Sequence, residues 1–456
     1  MTSYHSDKFP GHHVRNPGSV RPVTPEPSRA EPAEPNLFPA PDWNPWPAER
    51  AGLGRCVYDF TCWHAGEAEP QIIPWQRLPE CEFAKFGHLV TAIATARTRK
   101  GAEVPELVQV GLGTWGLDWA TTVLPEVPDI ELVACVDTRP EALAAASGAG
   151  VIAERHCYTS IEDALRERQA DAVLVTTSGS HGEVVRAALR ARKHVLVEKP
   201  FVESLTEAQE LVHEAAALDR TLMVSQNYRF FPAVRAVQNI VKSQELGRLL
   251  HVEVDFRRFN ITGRQLPWVQ PLLLDLGIHH FDLMRAVVGR EPARVDCRAW
   301  NPPWSAYRDP PEATALVDFE DGVTVSYRGS RLHPERPTAW AGEWRMEFEG
   351  GWVTWTSRTD RCGQRSAEGD AVSVGRHGEE PAGIDLPDLG LVDRSGALDA
   401  FTRALAGGTV PETAAAENLG SLALAYGAIR SANSREPVEV TTSRSGGTSV
   451  NEELNV

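Results

Sequence analysis

Leu107-Val108-Gln109-Val110 runs without a break into Gly111-Leu112-Gly113-Thr114-Trp115-Gly116, and a helical pattern follows. An apolar strand, three glycines at this spacing and a helix constrain the chain more tightly than any other stretch of the sequence. The first glycine permits a tight turn, the second lets backbone approach a pyrophosphate, and the third lets strand and helix pack closely. Amides at the head of the helix then face the anion. Asp137 ends the next strand, Glu131–Val136, about 20 residues beyond the last glycine, where a carboxylate holds a ribose 2′-hydroxyl. A carboxylate there repels a 2′-phosphate, which favours NAD; Arg139, two residues on, keeps NADP open.

Strands and helices keep alternating downstream. Asp171–Thr176, His194–Val197 and Thr221–Ser225 read as buried strands. Between them lie helices at Glu141–Ala146, from a Thr159/Glu162 capping box to about Arg168, at Gly182–Arg192, and at Leu205–Leu218 behind a Ser204/Glu207 box. That alternation predicts right-handed crossovers and a doubly wound parallel sheet, a Rossmann domain over residues 105–230. Beyond Pro232 the texture changes. Leu249–Arg258, Ala293–Trp300, Ala313–Phe319, Val323–Gly329, Trp344–Glu349 and Trp352–Thr356 alternate polar and apolar residues, as antiparallel strands with one covered face do. Residues 231–440 are therefore expected to form an α/β domain with a large, open, mostly antiparallel sheet. Asp275–Val288 and Ala414–Ser434 read as its helices, the second packing back across both domains.

Composition bounds the rest. The chain has 456 residues, length for two or three domains. It carries 46 Lys and Arg against 62 Asp and Glu, a net charge of −16, which argues against a nucleic-acid partner. No apolar run reaches the roughly 18 residues of a membrane span. Eleven of the 33 prolines fall in the first fifty residues, so residues 1–36 are expected to be a disordered arm. Residues 37–104 hold Trp43, Trp46, Trp63 and Trp75 and a helical stretch at Glu82–Arg97, and are expected to dock as a partly helical extension. Residues 441–456 read as a flexible tail. Polar residues stand where a signal peptide needs an apolar stretch, and seven scattered cysteines form no disulfide framework, so a cytoplasmic setting is expected. Cys56, Cys62, His64, Cys81 and His88 match no common zinc spacing, so no metal is expected.

Two clusters carry chemistry. Lys199 follows the strand Val195-Leu196-Val197 in Glu198-Lys199-Pro200, on the edge where doubly wound sheets bind ligands. In Leu274-Asp275-Leu276-Gly277-Ile278-His279-His280, a helix opening here puts Asp275 and His279 on one face, the carboxylate orienting the imidazole and favouring its protonated form. His280 points away, toward packing or a polar contact.

In order and spacing, Gly111 to Gly116, Glu198-Lys199-Pro200, Asn227-Tyr228-Arg229-Phe230, Asp275 to His279 and Ala428-Ile429-Arg430-Ser431 resemble the Gfo/Idh/MocA oxidoreductases, over about three-quarters of the chain. The resemblance implies a catalytic set of Lys199, Asp275 and His279. It implies cofactor contacts from Gly111, Gly113, Thr114, Trp115, Gly116, Asp137, Thr138, Arg139, Thr176, Thr177, His181, Glu198 and Lys199. Tyr228, Arg229 and Trp268 are the residues expected to line a sugar or polyol pocket. The expected activity is NAD(P)-dependent interconversion of a secondary alcohol and a ketone. The alternatives are an NAD-dependent glycosidase of the same fold and a non-catalytic sugar-binding regulator. The family often has three glycines before the catalytic helix, where this chain has Val269-Gln270-Pro271, and Thr-Pro-Asn where it has Thr176-Thr177-Ser178. Because an uncovered apolar sheet face is costly in water, a homodimer or homotetramer through the C-terminal sheet is expected.

Overall fold

The computed structural model describes residues 104–441, apart from 180, 260–266, 335 and 359–367. The proline-rich arm, the tryptophan-containing extension up to residue 103 with its cysteines, and the tail from 442 lie outside the described residues.

Fully buried aliphatic residues, most of them β-branched, build the first sheet: β1 (Glu106–Val110), β2 (Glu131–Val136), β3 (Cys157–Tyr158), β4 (Ala172–Val175), β5 (His194–Val197) and β6 (Leu222–Val224). All pair in parallel, in the order β3-β2-β1-β4-β5-β6. β1 has β2 on one side and β4 on the other, so the crossover direction reverses beside Gly111, and a ligand crevice opens at such a switch point. The expected helices are present, with one slip. The helix Ile161–Glu167 is capped by Ser160, whose hydroxyl accepts from the Asp163 amide, not by Thr159. Pro232–Ser243 and Asp393–Gly407 are helices that no capping signal announced.

The second sheet has nine strands: β7 (Leu249–Arg257), β8 (Pro292–Trp300), β9 (Glu312–Phe319), β10 (Thr324–Ser330), β11 (Glu343–Phe348), β12 (Gly351–Thr356), β13 (Ala371–Arg376), β14 (Ala382–Gly383) and β15 (Val438–Glu439). Only the β7–β10 pair is parallel. Its inner face, with Val252, Val254, Phe256, Val325 and Met346, is buried. Glu253, Arg298, Arg328, Glu343 and Arg345 stand exposed on the outer face, together with Leu316 at 46% and Trp300 at 42%. Alternation along each strand has put mostly polar side chains outside.

The last long helix, Ala415–Ser434, does cross both halves. Tyr426 donates to the Val202 carbonyl on the Rossmann side, and Ser431 accepts from the Cys297 amide on β8. Arg229 belongs to the same seam. It was expected in the substrate pocket, but it is 4% exposed and forks onto both Asp282 oxygens at 2.7 Å. Asp282 lies in the helix Gly277–Val288 and also accepts from Ser421 of the last helix. Removing one partner strands a buried charge, so Arg229→Leu is expected to cost about 3–5 kcal/mol in urea denaturation of the full chain.

Candidate active site

The glycine turn is held by side chains. Gln109, fully buried in the middle of β1, donates to the Gly116 carbonyl at 2.7 Å, and Thr176 donates to the Gly111 carbonyl at 2.7 Å. Gly111 has φ +95°, and a Cβ there meets Thr177 backbone at 2.6 Å; a Cβ on Gly116 meets the Gly111 carbonyl oxygen at 2.0 Å. Gly113 differs: the nearest atom to an added Cβ is Arg139 Nη2 at 3.8 Å. The middle glycine thus borders open space, a cradle that backbone lines and a Cβ would fill.

Asp137 ends β2 beside this cradle and is 7% exposed. Its oxygens accept from the Leu112 and Arg139 amides at 2.7 and 2.9 Å and from the Arg139 guanidinium at 3.1 Å. Burial pushes its carboxyl up, but the Arg139 and backbone hydrogen bonds outweigh it and hold the group below the ordinary range. Thr138 beside it is exposed. His181 has its ring nitrogens 2.8 Å from the carbonyl oxygens of Thr177 and Pro200, tying the loop after β4 to the turn after β5. Glu198 is turned inward, accepting from Trp119 Nε1 at 2.9 Å and from the Lys199 amide at 3.2 Å.

Lys199, just past β5, donates from Nζ to the Asp275 carbonyl at 2.9 Å and to Asp275 Oδ1 at 3.0 Å. Arg331, just past β10, donates to Asp275 Oδ2 at 2.9 Å. Burial alone pushes the Asp275 carboxyl up; Lys199 and Arg331 reverse this and hold it below the ordinary range. The helix does not begin at Asp275. The Leu272 carbonyl accepts from both the Leu276 and Gly277 amides, closing a turn after Pro271, and the helix starts at Gly277. Asp275 therefore faces Lys199 and Arg331, and it makes no hydrogen bond to His279.

His279 is 4% exposed and stacks flat on Tyr228, centroids 4.0 Å apart and planes 5° from parallel. Arg358 lies over the far side of this system, 4.9 Å from the Tyr228 centroid, and donates to its hydroxyl at 3.2 Å. Burial, then Lys199, Arg358 and His280, hold the imidazole well below its ordinary range, so it is neutral, opposite to the protonated form expected from an aspartate partner. Its Nδ1 is buried without a hydrogen-bond partner among the described residues, which leaves Nε2 for a substrate. His280 points behind, as expected. A carbonyl only accepts, so Nε2 donates to Trp340 O at 2.9 Å, and Nδ1 accepts from the Tyr327 hydroxyl at 3.1 Å.

Arg331, Arg358 and the role of Gln109 were not anticipated, and neither were Asp393 and Arg394. Asp393, fully buried with φ +58°, accepts from Asn227, next to Tyr228. Arg394 bonds Asp118 and lies 4.0 Å over the ring of Trp115, in the glycine turn. Trp268 remains 40% exposed on the segment before Gln270.

A switch-point cradle with a lysine, an aspartate and a neutral imidazole on the adjoining edge defines a dinucleotide-dependent oxidoreductase. The profile of the oxidoreductase family with the NAD-binding Rossmann fold matches residues 106–226, and that of the Gfo/Idh/MocA C-terminal domain matches 234–352. The chain belongs to the Gfo/Idh/MocA family and is an NAD(P)-dependent oxidoreductase. It is 26% identical to 1,5-anhydro-D-fructose reductase of Ensifer adhaerens over 345 residues, 73% of this chain and 99% of that one. It is 29% identical to myo-inositol 2-dehydrogenase of Thermotoga maritima over 196 residues, 41% of this chain and 55% of that one. Aldose-aldose oxidoreductase of Caulobacter crescentus, crystallised with glycerol, superposes with a TM-score of 0.65 at 21% identity, over 74% of this chain and all of that one. Among the described residues no helix is long and apolar enough to cross a membrane, and no cluster of ligating side chains fits a metal.

The open cradle at Gly113 fits a pyrophosphate, so Gly113→Ala is expected to leave thermal stability unchanged while weakening NADH binding in a fluorescence titration. A second expectation concerns pH. Burial holds His280 at about 4 in the folded chain against 6.5 unfolded. Below pH 6.5 the unfolded chain takes the proton first, so stability falls as pH drops toward 4, by about 3 kcal/mol in total. In His280→Gln, whose amide can still donate to Trp340, this part of the pH slope is expected to vanish from urea melts.

Proposed function

We propose that the protein interconverts a secondary alcohol and a ketone on a sugar, cyclitol or related polyol, with NAD held by the Gly111–Gly116 turn and the edge around Asp137. Nicotinamide, when bound, supplies the carbon that exchanges hydride with the reacting carbon. Lys199 does the electrostatic work. Its ammonium has three hydrogens; the carbonyl and Oδ1 of Asp275 take two, leaving the third for the reacting oxygen. There its charge stabilises the negative charge that develops as the hydroxyl proton leaves. His279, neutral and open at Nε2, takes that proton in the oxidative direction and returns it in the reductive one. Tyr228 keeps the ring from rotating by stacking on it. Arg229, committed to Asp282, takes no part in the pocket.

The observation that carries this reading is the ammonium of Lys199 fixed on Asp275, its charge acting on the neutral imidazole of His279. A second copy of the chain is the proposed occupant of the outer face of the nine-stranded sheet, held by its mixed charges.

With a panel of polyols and NAD, followed by nicotinamide absorbance, Lys199→Ala and His279→Ala are each expected to lower kcat by on the order of 10²–10⁴-fold. His279→Ala is expected to bind NADH as the parent does. Full turnover in either variant sinks the assignment.

A further inference from the structure

Arg331 is 1% exposed, yet it carries a full charge. It lies 56 residues from Asp275 in sequence, directly after β10, and no motif marks it. One nitrogen, Nη1, makes both of its hydrogen bonds, to Asp275 Oδ2 at 2.9 Å and to the Pro271 carbonyl at 2.6 Å. The Tyr307 ring lies on the guanidinium, 5.9 Å from centroid to carbon. Its Nε is buried without a hydrogen-bond partner among the described residues. A buried guanidinium left partly unpaired opposes folding, so packing does not account for its presence.

Pro271 and Asp275 are the two ends of the turn that precedes the helix Gly277–Val288. Arg331 closes that turn from outside, where the family's glycines give way to Val269-Gln270-Pro271. Gln270 itself holds a left-handed φ of +47°, with its carbonyl accepting from the Leu274 amide at 3.1 Å. The strained turn stays shut because one cation grips both ends.

We propose that Arg331 is a positioning residue for the reaction: by pinning Asp275 Oδ2 it turns Oδ1 toward Lys199 and fixes where the remaining ammonium hydrogen points. The proposal rests on the alcohol–ketone reading of the site. Without Arg331 the carboxylate is free to rotate, Lys199 follows it, and the hydrogen aimed at the reacting oxygen is lost. The charged and titratable groups around Asp275 are Lys199 after β5, Arg331 after β10 and His279 in the first turn of the helix that follows. Tyr307 faces Arg331 from the other side, and Arg358 acts on His279 through Tyr228. Lys199 and Arg331 are the two that touch the carboxylate.

The test compares Arg331→Met and Arg331→Lys with the parent chain. An ammonium can make both bonds that Nη1 makes, so lysine is expected to recover part of what methionine loses. Arg331→Met is expected to lower kcat on the order of 10²-fold, as a misplaced reacting group does, with a smaller change in KM. With one of its two cations gone, Asp275 takes its proton at higher pH, so the acidic limb of kcat/KM moves up. Carbon-13 titration of labelled aspartate, assigned with Asp275→Asn, reads the same shift without turnover. A parent chain that oxidises no polyol defeats the alcohol–ketone reading, and the carbon-13 shift then still decides whether Arg331 governs Asp275. An unmoved Asp275 titration, or a lysine variant no better than methionine, overturns the proposal. If Arg331→Met does not fold, Arg331→Gln, neutral but able to donate to Pro271, takes its place with the same expectations.

Discussion

The ion pair between Lys199 and Asp275, 76 residues apart, is the contact on which the site depends. It exists only if the end of β5 and the turn before the helix Gly277–Val288 abut. That approach is secured by a second cation from the same half: Arg229, five residues past β6, forks onto Asp282 of that helix. The turn and the helix it leads into are thus pinned twice by positive groups of the Rossmann half, once at the chemistry and once behind it. Buried pairs of this kind contribute little net stability, because desolvation offsets most of the attraction. What they supply here is register, since a shift of either half breaks both ion pairs at once.

In the proposed reaction the same arrangement would divide acid–base labour. Had Asp275 paired with His279, the imidazole would have been held protonated and useless as a base at neutral pH. Because Asp275 faces two cations instead, Lys199 is anchored and its charge, with burial and Arg358, drives the nearby imidazole neutral. Two potential cations placed close together in a desolvated site cannot both be charged easily. Burial and the neighbouring positive groups hold the ring neutral.

The parts legible in the sequence were those whose signals are local. Gly111 to Gly116 announced a turn because sterics at three positions demand glycine, and the parallel sheet followed from short apolar runs separated by capped helices. Lys199 and His279 were visible because each sits at a fixed offset from an element boundary. Asp275 was placed on the wrong side of a helix start, since its i,i+4 spacing to His279 says nothing about the Leu272 carbonyl closing a turn first. Arg229 looked like a pocket residue until Asp282, 53 residues on, claimed it. Arg331, Asp393 and Arg394 gave no signal, for each acquires its role from strands or helices that meet only in the folded chain. Gln109 could have been caught: an amide in the middle of an otherwise apolar buried strand needs a partner, and the glycine turn supplies it.

That amide bears on how the cofactor edge works. Gln109, Thr176 and Asp137 each satisfy a backbone group of the turn from Gly111 to Gly116, so its path is set by β1, β2 and β4 together. A turn already held in shape loses little conformational freedom when a pyrophosphate arrives, and binding then avoids the ordering cost that a loose glycine loop incurs. Asp137 serves on both sides of this arrangement. One oxygen keeps the Leu112 amide in place, and the Arg139 guanidinium reaches both oxygens from a side chain that is 62% exposed and can leave while the Leu112 bond stays. In the proposed reading, a ribose hydroxyl would displace the guanidinium from the carboxylate while the Leu112 amide bond keeps the cradle behind it as built.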